Sequence, residues 1–227
     1  MHSYINSGTA SEFGSSKATS LHLENCHMRT LAAAALLGTA LVAVPASQTA
    51  QNPRLSDSLE RPFAANGQIR MDLSAGEYHV SGTNENRVRL QWRVRDPEEL
   101  SRVRAKADVR GREVSIMTDG PEHFKVDITV PTRADLYIRL TAGELHVEHI
   151  EGNKDIGLHA GEIDIDVVRP DDYHSVAASV WAGELHAAPF NLSKEGLFRS
   201  VSWSGTGKYR LDAKLKAGEV RLYTNPR

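Results

Sequence analysis

The chain has 227 residues, 40% of them hydrophobic and 25% charged, which is ordinary globular material and enough for one domain with an apolar core. A formal net charge of -2 argues against a protein built as a whole to hold nucleic acid. Aromatic residues make up only 6%, so the core is expected to come from Val, Ile, Leu and Ala.

Residues 1–27 are polar, Ser-rich and without pattern, and they read as a non-native, disordered upstream extension, with translation starting at Met28. The stretch HMRTLAAAALLGTALVAVPASQ then carries the three parts of a secretory signal: basic Arg29, an apolar run from Leu31 to Val44, and small residues Val44 and Ala46 before a cleavage point. Residues 28–46 are therefore expected to be a signal peptide that exports the chain to the periplasm or cell surface; an uncleaved N-terminal anchor is the alternative. No later segment approaches the roughly 20 apolar residues that a membrane span needs, so no span is expected once the signal is removed. The one cysteine, Cys26, lies before the apolar run. The mature chain is thus expected to have no disulfide, thiolate metal ligand or cysteine nucleophile.

Residues 47–62 read as a polar linker, and 63–227 as one repetitive domain. In RVRLQWRVR, Val88, Leu90, Trp92 and Val94 alternate with Arg87, Arg89, Gln91, Arg93 and Arg95, the period-two pattern of a half-buried strand. DPEELSR reads as a single helical turn capped by Asp96, with Pro97 in its first turn. Alternation resumes at Val103, Ala105, Ala107 and Val109 and recurs in FKVDITVP, DLYIRL, EIDIDVV and YRLDAKL. No sustained 3.6-residue period is present, so the fold is expected to be all-β.

Five segments share Ala-Gly-Glu followed by an apolar residue: AGEYHV from Ala75, AGELHV from Ala142, AGEIDI from Ala160, AGELHA from Ala182 and AGEVRL from Ala217. Gly143, Gly161 and Gly183 are separated by 18 and 22 residues, too far for a simple hairpin and suited to one coil of a solenoid. The pattern predicts a single-stranded parallel β-helix, or β-solenoid, with irregular N-terminal strands. Gly76, Gly143, Gly161, Gly183 and Gly218 would turn the corners, since glycine takes positive φ at no steric cost. After each corner Leu145 and Val147 would point inward, and Glu144, His146 and Glu148 outward. Glu77, Glu144, Glu162, Glu184 and Glu219 would then form one outward column, and His79, His146, Asp164, His186 and Arg221 the next.

VDITVPTRADLYIRLTAGELHVEHIEGNKDIGLHAGEIDIDV and WSGTGKYRLDAKLKAGEVRL resemble the central and closing parts of the bacterial putative-adhesin family, a domain of unknown function, over about Phe63 to Leu222. The resemblance implies a parallel β-helix, or a closely related solenoid, in an exported or envelope protein. It brings no established catalytic residues with it.

Three chemical readings stand beside the structural one. Zinc needs three or four ligands converging on one point, and a straight ladder holding His146, Asp164 and His186 on neighbouring rungs converges poorly; neither a metal nor another cofactor is expected. Asp164, Asp166, Asp171 and Asp172, with Arg169 nearby, could serve a polysaccharide-cleaving enzyme. The Gly-x-Ser-x-Gly elbow, a phosphate-cradling loop and the His-Glu-x-x-His helix are all missing from the sequence. Between Arg87 and Arg112, nine Lys or Arg face four Asp or Glu, so Arg87, Arg89, Arg93, Arg95, Arg102 and Arg104 could attract an anion, or could simply be neutralised by neighbouring strands. The expected function is a non-catalytic, adhesin-like binding module of the cell envelope. Glu144, His146, Asp164, Glu184 and His186 are its contact surface, and an envelope glycan, lipid or protein, not nucleic acid, is its partner. A polysaccharide-active enzyme on a β-helix and an envelope-stress sensor or partner-binding domain are the alternatives.

Overall fold

The computed structural model describes residues 54–121 and 123–225. The expected extension and signal peptide lie outside them, as do residues 47–53 of the expected linker. The chain is all-β. Its strands are β1 (Ser56–Pro62), β2 (Gly67–Leu73), β3 (Gly76–Thr83), β4 (Arg87–Arg93), β5 (Arg104–Arg110) and β6 (Glu113–Asp119). They continue with β7 (Lys125–Pro131), β8 (Ala134–Glu148), β9 (Lys154–Asp166), β10 (Tyr173–Ala187), β11 (Leu192–Ser204) and β12 (Tyr209–Tyr223).

All twelve belong to one open, mixed sheet. β8, β9, β12 and β10 are long strands lying parallel, side by side, in that order. β2 pairs with the first half of β8 and β3 with its second half, so these two short strands together make one more rung. β6 and β7 extend the two halves in the same way. Antiparallel strands finish the sheet: β5 on β6, β4 and then β1 on β7, and β11 on β10.

Two features depart from a helix of sequential coils. The last strand, β12, sits between β9 and β10, so rung order is not chain order. Residues 167–172, with a 3-10 turn at Pro170–Asp172, carry the chain past the slot that β12 fills. The Val167 amide donates to the Tyr223 carbonyl across that gap at 2.8 Å. This detour accounts for the longer spacing from Gly161 to Gly183. The second departure is the antiparallel pairing at the ends, which hydrophobic alternation cannot distinguish from parallel pairing.

The Ala-Gly-Glu corners obey one rule. The last buried residue before each corner and the first after it are Leu73 and Tyr78, Leu140 and Leu145, Leu158 and Ile163, Leu215 and Val220, Val180 and Leu185. Each step is five residues, an odd number that would invert an uninterrupted strand. The corner absorbs the extra residue, so both halves bury their apolar faces in the same core. Gly143, Gly161, Gly218 and Gly183 take φ of +116°, +129°, +130° and +138°. They also stack: a Cβ on Gly143 would collide with the Gly76 carbonyl, one on Gly161 with that of Gly143, one on Gly218 with that of Gly161, and one on Gly183 with that of Gly218. Gly76 departs from the expectation, because it begins the column and its φ is not in the positive region. There glycine makes room for Phe124, whose ring and carbonyl lie 3.0 Å from where a Cβ would sit.

Two smaller expectations also change. Ser56–Pro62, read as linker, is edge strand β1, held by backbone pairing to β4 while its side chains stay largely exposed. A strand bound through its backbone needs no apolar face and leaves no alternation to read. Pro97–Arg102 is a 3-10 turn, but the Asp96 side chain makes no capping hydrogen bond.

Candidate functional site

The glycine register aligns the residues that follow it. Glu77, Glu144, Glu162, Glu219 and Glu184 stand opposite one another across β3, β8, β9, β12 and β10, and His79, His146, Asp164, Arg221 and His186 do the same two positions on. Both expected columns are present, with Arg221 inserted between Asp164 and His186. His146 and His186 are therefore three rungs apart instead of two.

Several members of the columns pair with one another or with a neighbour. Asp164 takes the Arg221 guanidinium at 3.2 Å and stands 3.2 Å from His146 Nδ1. Arg221 also reaches Glu219 at 2.6 Å, and this hydrogen bond, together with nearby Asp164, raises the arginine's pKa. Lys125 pairs with Glu77, and His79 lies 3.4 Å from Glu148. Burial pushes the Glu148 carboxyl up, but hydrogen bonds from Tyr223 and His79 outweigh it and hold the pKa below the ordinary carboxylate value.

At the β10 edge the antiparallel partner adds a residue that the repeat could not reveal. Glu195 on β11 stands opposite Glu184, and Glu184, His186 and Glu195 bring ligand atoms within 4.8 Å of one another. Ser193 Oγ lies 3.0 Å from His186 Nδ1, leaving Nε2 toward Glu184 at 3.2 Å. The cluster lies on the outer surface. Glu195 falls outside every Ala-Gly-Glu copy, so only the hairpin pairing brings it here.

The arginines do not form one surface. Arg87 and Arg89 bind Glu60 at 2.7 and 2.9 Å, Arg87 binds Glu85 at 2.6 Å, and Arg93 binds Asp127 at 2.8 Å. Hydrogen bonds from Arg87 and Arg89 lower the Glu60 pKa. Arg102 ends the 3-10 turn and Arg104 opens β5, which pairs with β6 in the other half of the sheet. Arg95 lines a hollow with Glu77, His123 and Glu144. Two more of the acids considered for catalysis are also engaged: Asp166 is buried and accepts the Val168 and Asn225 amides, and Asp172 holds Arg169 at 2.7 Å.

One buried group escaped the reading of the sequence. Lys154 is 1% exposed and sits in register between Leu136 and Leu211. Its ammonium donates to the Ile150 carbonyl at 2.8 Å and to the Tyr173 hydroxyl at 2.6 Å. Burial pulls its pKa down to about 7, against the opposing pull of Asp166. Burial also raises the Tyr173 pKa. Aligning the repeats on Ala-Gly-Glu would have exposed the lysine, since the sixth residue before each alanine is Ile69, Leu136, Lys154, Val176 or Leu211.

No family model matches the chain, and no curated protein matches it. Among solved structures, a "putative cell adhesion protein" from Clostridium sporogenes is 13% identical, with a TM-score of 0.51 over 75% of this chain and 100% of that one. A "putative adhesin" from Bacteroides fragilis is 9% identical, with a TM-score of 0.30 over 75% and 99%. Another from Parabacteroides merdae is 10% identical, with a TM-score of 0.31 over 75% and 82%. The likeness to the Clostridium structure is one of fold. Among the described residues, no helix is long and apolar enough to cross a membrane.

Proposed function

We propose that the chain is an exported, non-catalytic binding module of the cell envelope, adhesin-like in kind, whose parallel rungs act as a β-solenoid with a permuted order. The observation that carries this reading is the aligned pair of outward columns, one of Glu77, Glu144, Glu162, Glu219 and Glu184 and the other of His79, His146, Asp164, Arg221 and His186. Such a face offers a glutamate every ~4.8 Å beside a column of mixed polar groups, which suits a partner that repeats, such as an envelope glycan, lipid surface or protein. The fold likeness to a "putative cell adhesion protein" and the leader-like residues 28–46 support export to the periplasm or surface. The engagement of Asp164, Asp166 and Asp172 in internal contacts favours binding over catalysis.

The test is retention of the full chain on isolated bacterial envelope material, with and without chelator. Retention that survives chelator and falls in the Glu144→Gln, His186→Ala double variant is the expected result. Undiminished retention of that variant, or release of reducing ends from a polysaccharide by the wild-type chain, contradicts the reading.

A further inference from the structure

A groove of about 700 Å³ lies on the outer face of the first half-sheet, away from the Glu and His columns. Its central row follows the register Asp72, Arg139, Gly157, Lys214, Ser179 across β2, β8, β9, β12 and β10. Gly157 has no side chain and Ser179 a short one, so the floor drops beside the long stems of Arg139 and Lys214. Those two cations are already committed, Arg139 to Asp155 at 2.8 Å and Lys214 to Asp212 at 3.0 Å. Among the described residues, Asp72 and Asp119 at one end of the groove and Lys216 toward the other make no ion pair.

Beside Lys216, just past the residues that line the groove, stands an aromatic pair. Trp181 follows Ser179 on β10 and lies beside Lys216, between the paired positions Val180↔Leu215 and Ala182↔Ala217. Phe198 faces it from β11, with ring centroids 5.5 Å apart and planes at 89°. Trp181 is 57% exposed and Phe198 70% exposed. Phe198 also holds φ at +53°, a left-handed conformation that costs a bulky residue about 1–2 kcal/mol. A strained backbone that displays an aromatic ring to water is the kind of outlier that points to use.

We propose that this groove binds a saccharide chain lying across the strands, with Trp181 and Phe198 stacked on the apolar face of a sugar ring and Asp72, Asp119 and Lys216 reading its hydroxyls. The chemistry selects this occupant. Carboxylates only accept hydrogen bonds and an ammonium only donates, while a hydroxyl does both, so one hydroxyl-rich chain satisfies both ends. A polyanion would meet Asp72 and Asp119. An extended peptide gains most by pairing with a free strand edge, and the groove floor is the face of a sheet. Four strand spacings of ~4.8 Å separate β2 from β10, a span of several sugar units. Affinity therefore rises with chain length.

The site is independent of the Glu and His columns, so the two can fail separately. Affinity electrophoresis of the full chain through gels containing dextran, mannan, xylan or β-glucan tests it, with polygalacturonate gels and sedimentation with phosphatidylglycerol vesicles as comparisons. The expected result is retardation by at least one neutral polysaccharide, weakened about tenfold or more in Trp181→Ala and in Phe198→Ala and weakened less in Asp119→Asn and Lys216→Ala. The Glu144→Gln, His186→Ala variant keeps the retardation. Because Trp181 and Phe198 are exposed, circular dichroism of their variants should match that of the wild type. Absence of retardation in all four neutral gels overturns the proposal. So does retardation that persists in well-folded Trp181→Ala, or binding confined to polygalacturonate or vesicles.

Discussion

The glycine column and the leucine column a few residues before it lie on the same rungs and follow opposite logic. At the corner, every rung after the first needs the same thing, because the space that a Cβ would occupy is filled by the neighbouring glycine's carbonyl. Seven residues earlier the needs differ: Leu136 and Leu211 fill the core with carbon, while Lys154 between them fills it with an amine held by Ile150 and Tyr173. Repetition is strict where backbone touches backbone and relaxed where side chains can repack.

The sharpest way to break the comparison is Gly161→Ala, in mid-column. It forces a side chain into the Gly143 carbonyl at φ +129°, and the expected loss is about 4 kcal/mol or more, read as insoluble chain or a collapsed urea midpoint. Lys154→Met tests the other column. The folded lysine has its pKa lowered from 10.5 to about 7, so between those values the unfolded chain binds the proton that the folded chain has released. Wild-type stability therefore rises with pH from about 7 upward, by an amount on the order of a few kcal/mol, and is lowest where the buried amine is charged in both states. Tyr78, Tyr173 and Tyr223, whose pKa values are raised above 10, act only at higher pH and in the opposite sense. Urea unfolding between pH 7 and 9.5 should show the rise in wild type and a flat profile in Lys154→Met.

Gly76→Ala sharpens the contrast within the glycines. Without positive φ, and with only Phe124 to displace, it is expected to cost about 1–2 kcal/mol, measured as a modest shift of the same midpoint. Arg221→Ala has the smallest effect. The arginine is 44% exposed in its pairs with Asp164 and Glu219, so solvent screening holds the loss to about 0.5–1 kcal/mol, and added salt should shrink it further.

These differences also mark what the sequence could say. Alternation and the Ala-Gly-Glu motif were enough to place Leu145 and Val147 inside, Glu144 and His146 outside, and the columns in register, because each follows from backbone geometry repeated at every rung. Strand order was not legible. Nothing local to GKYRLDAKLKAGEVRL tells β12 to enter between β9 and β10, a choice made by the long detour at residues 167–172 and by the antiparallel return of β11. The sites that depend on that order were missed for the same reason: Glu195 reaches Glu184 only through the hairpin, Trp181 meets Lys216 only because β12 lies beside β10, and Arg221 divides Asp164 from His186.

Strand order is thus the claim on which the columns and the groove both depend, and engineered disulfides test it directly. Adjacent parallel strands bring Cα atoms within the roughly 4.4–6.8 Å that a disulfide tolerates, while strands two rungs apart exceed it. In a chain with Cys26→Ser, the pair Glu162→Cys with Glu219→Cys should form a cross-link, and the pair Glu162→Cys with Glu184→Cys should not. The reverse result, with Glu162 linked to Glu184 and not to Glu219, would mean that the rungs follow chain order and would contradict the account.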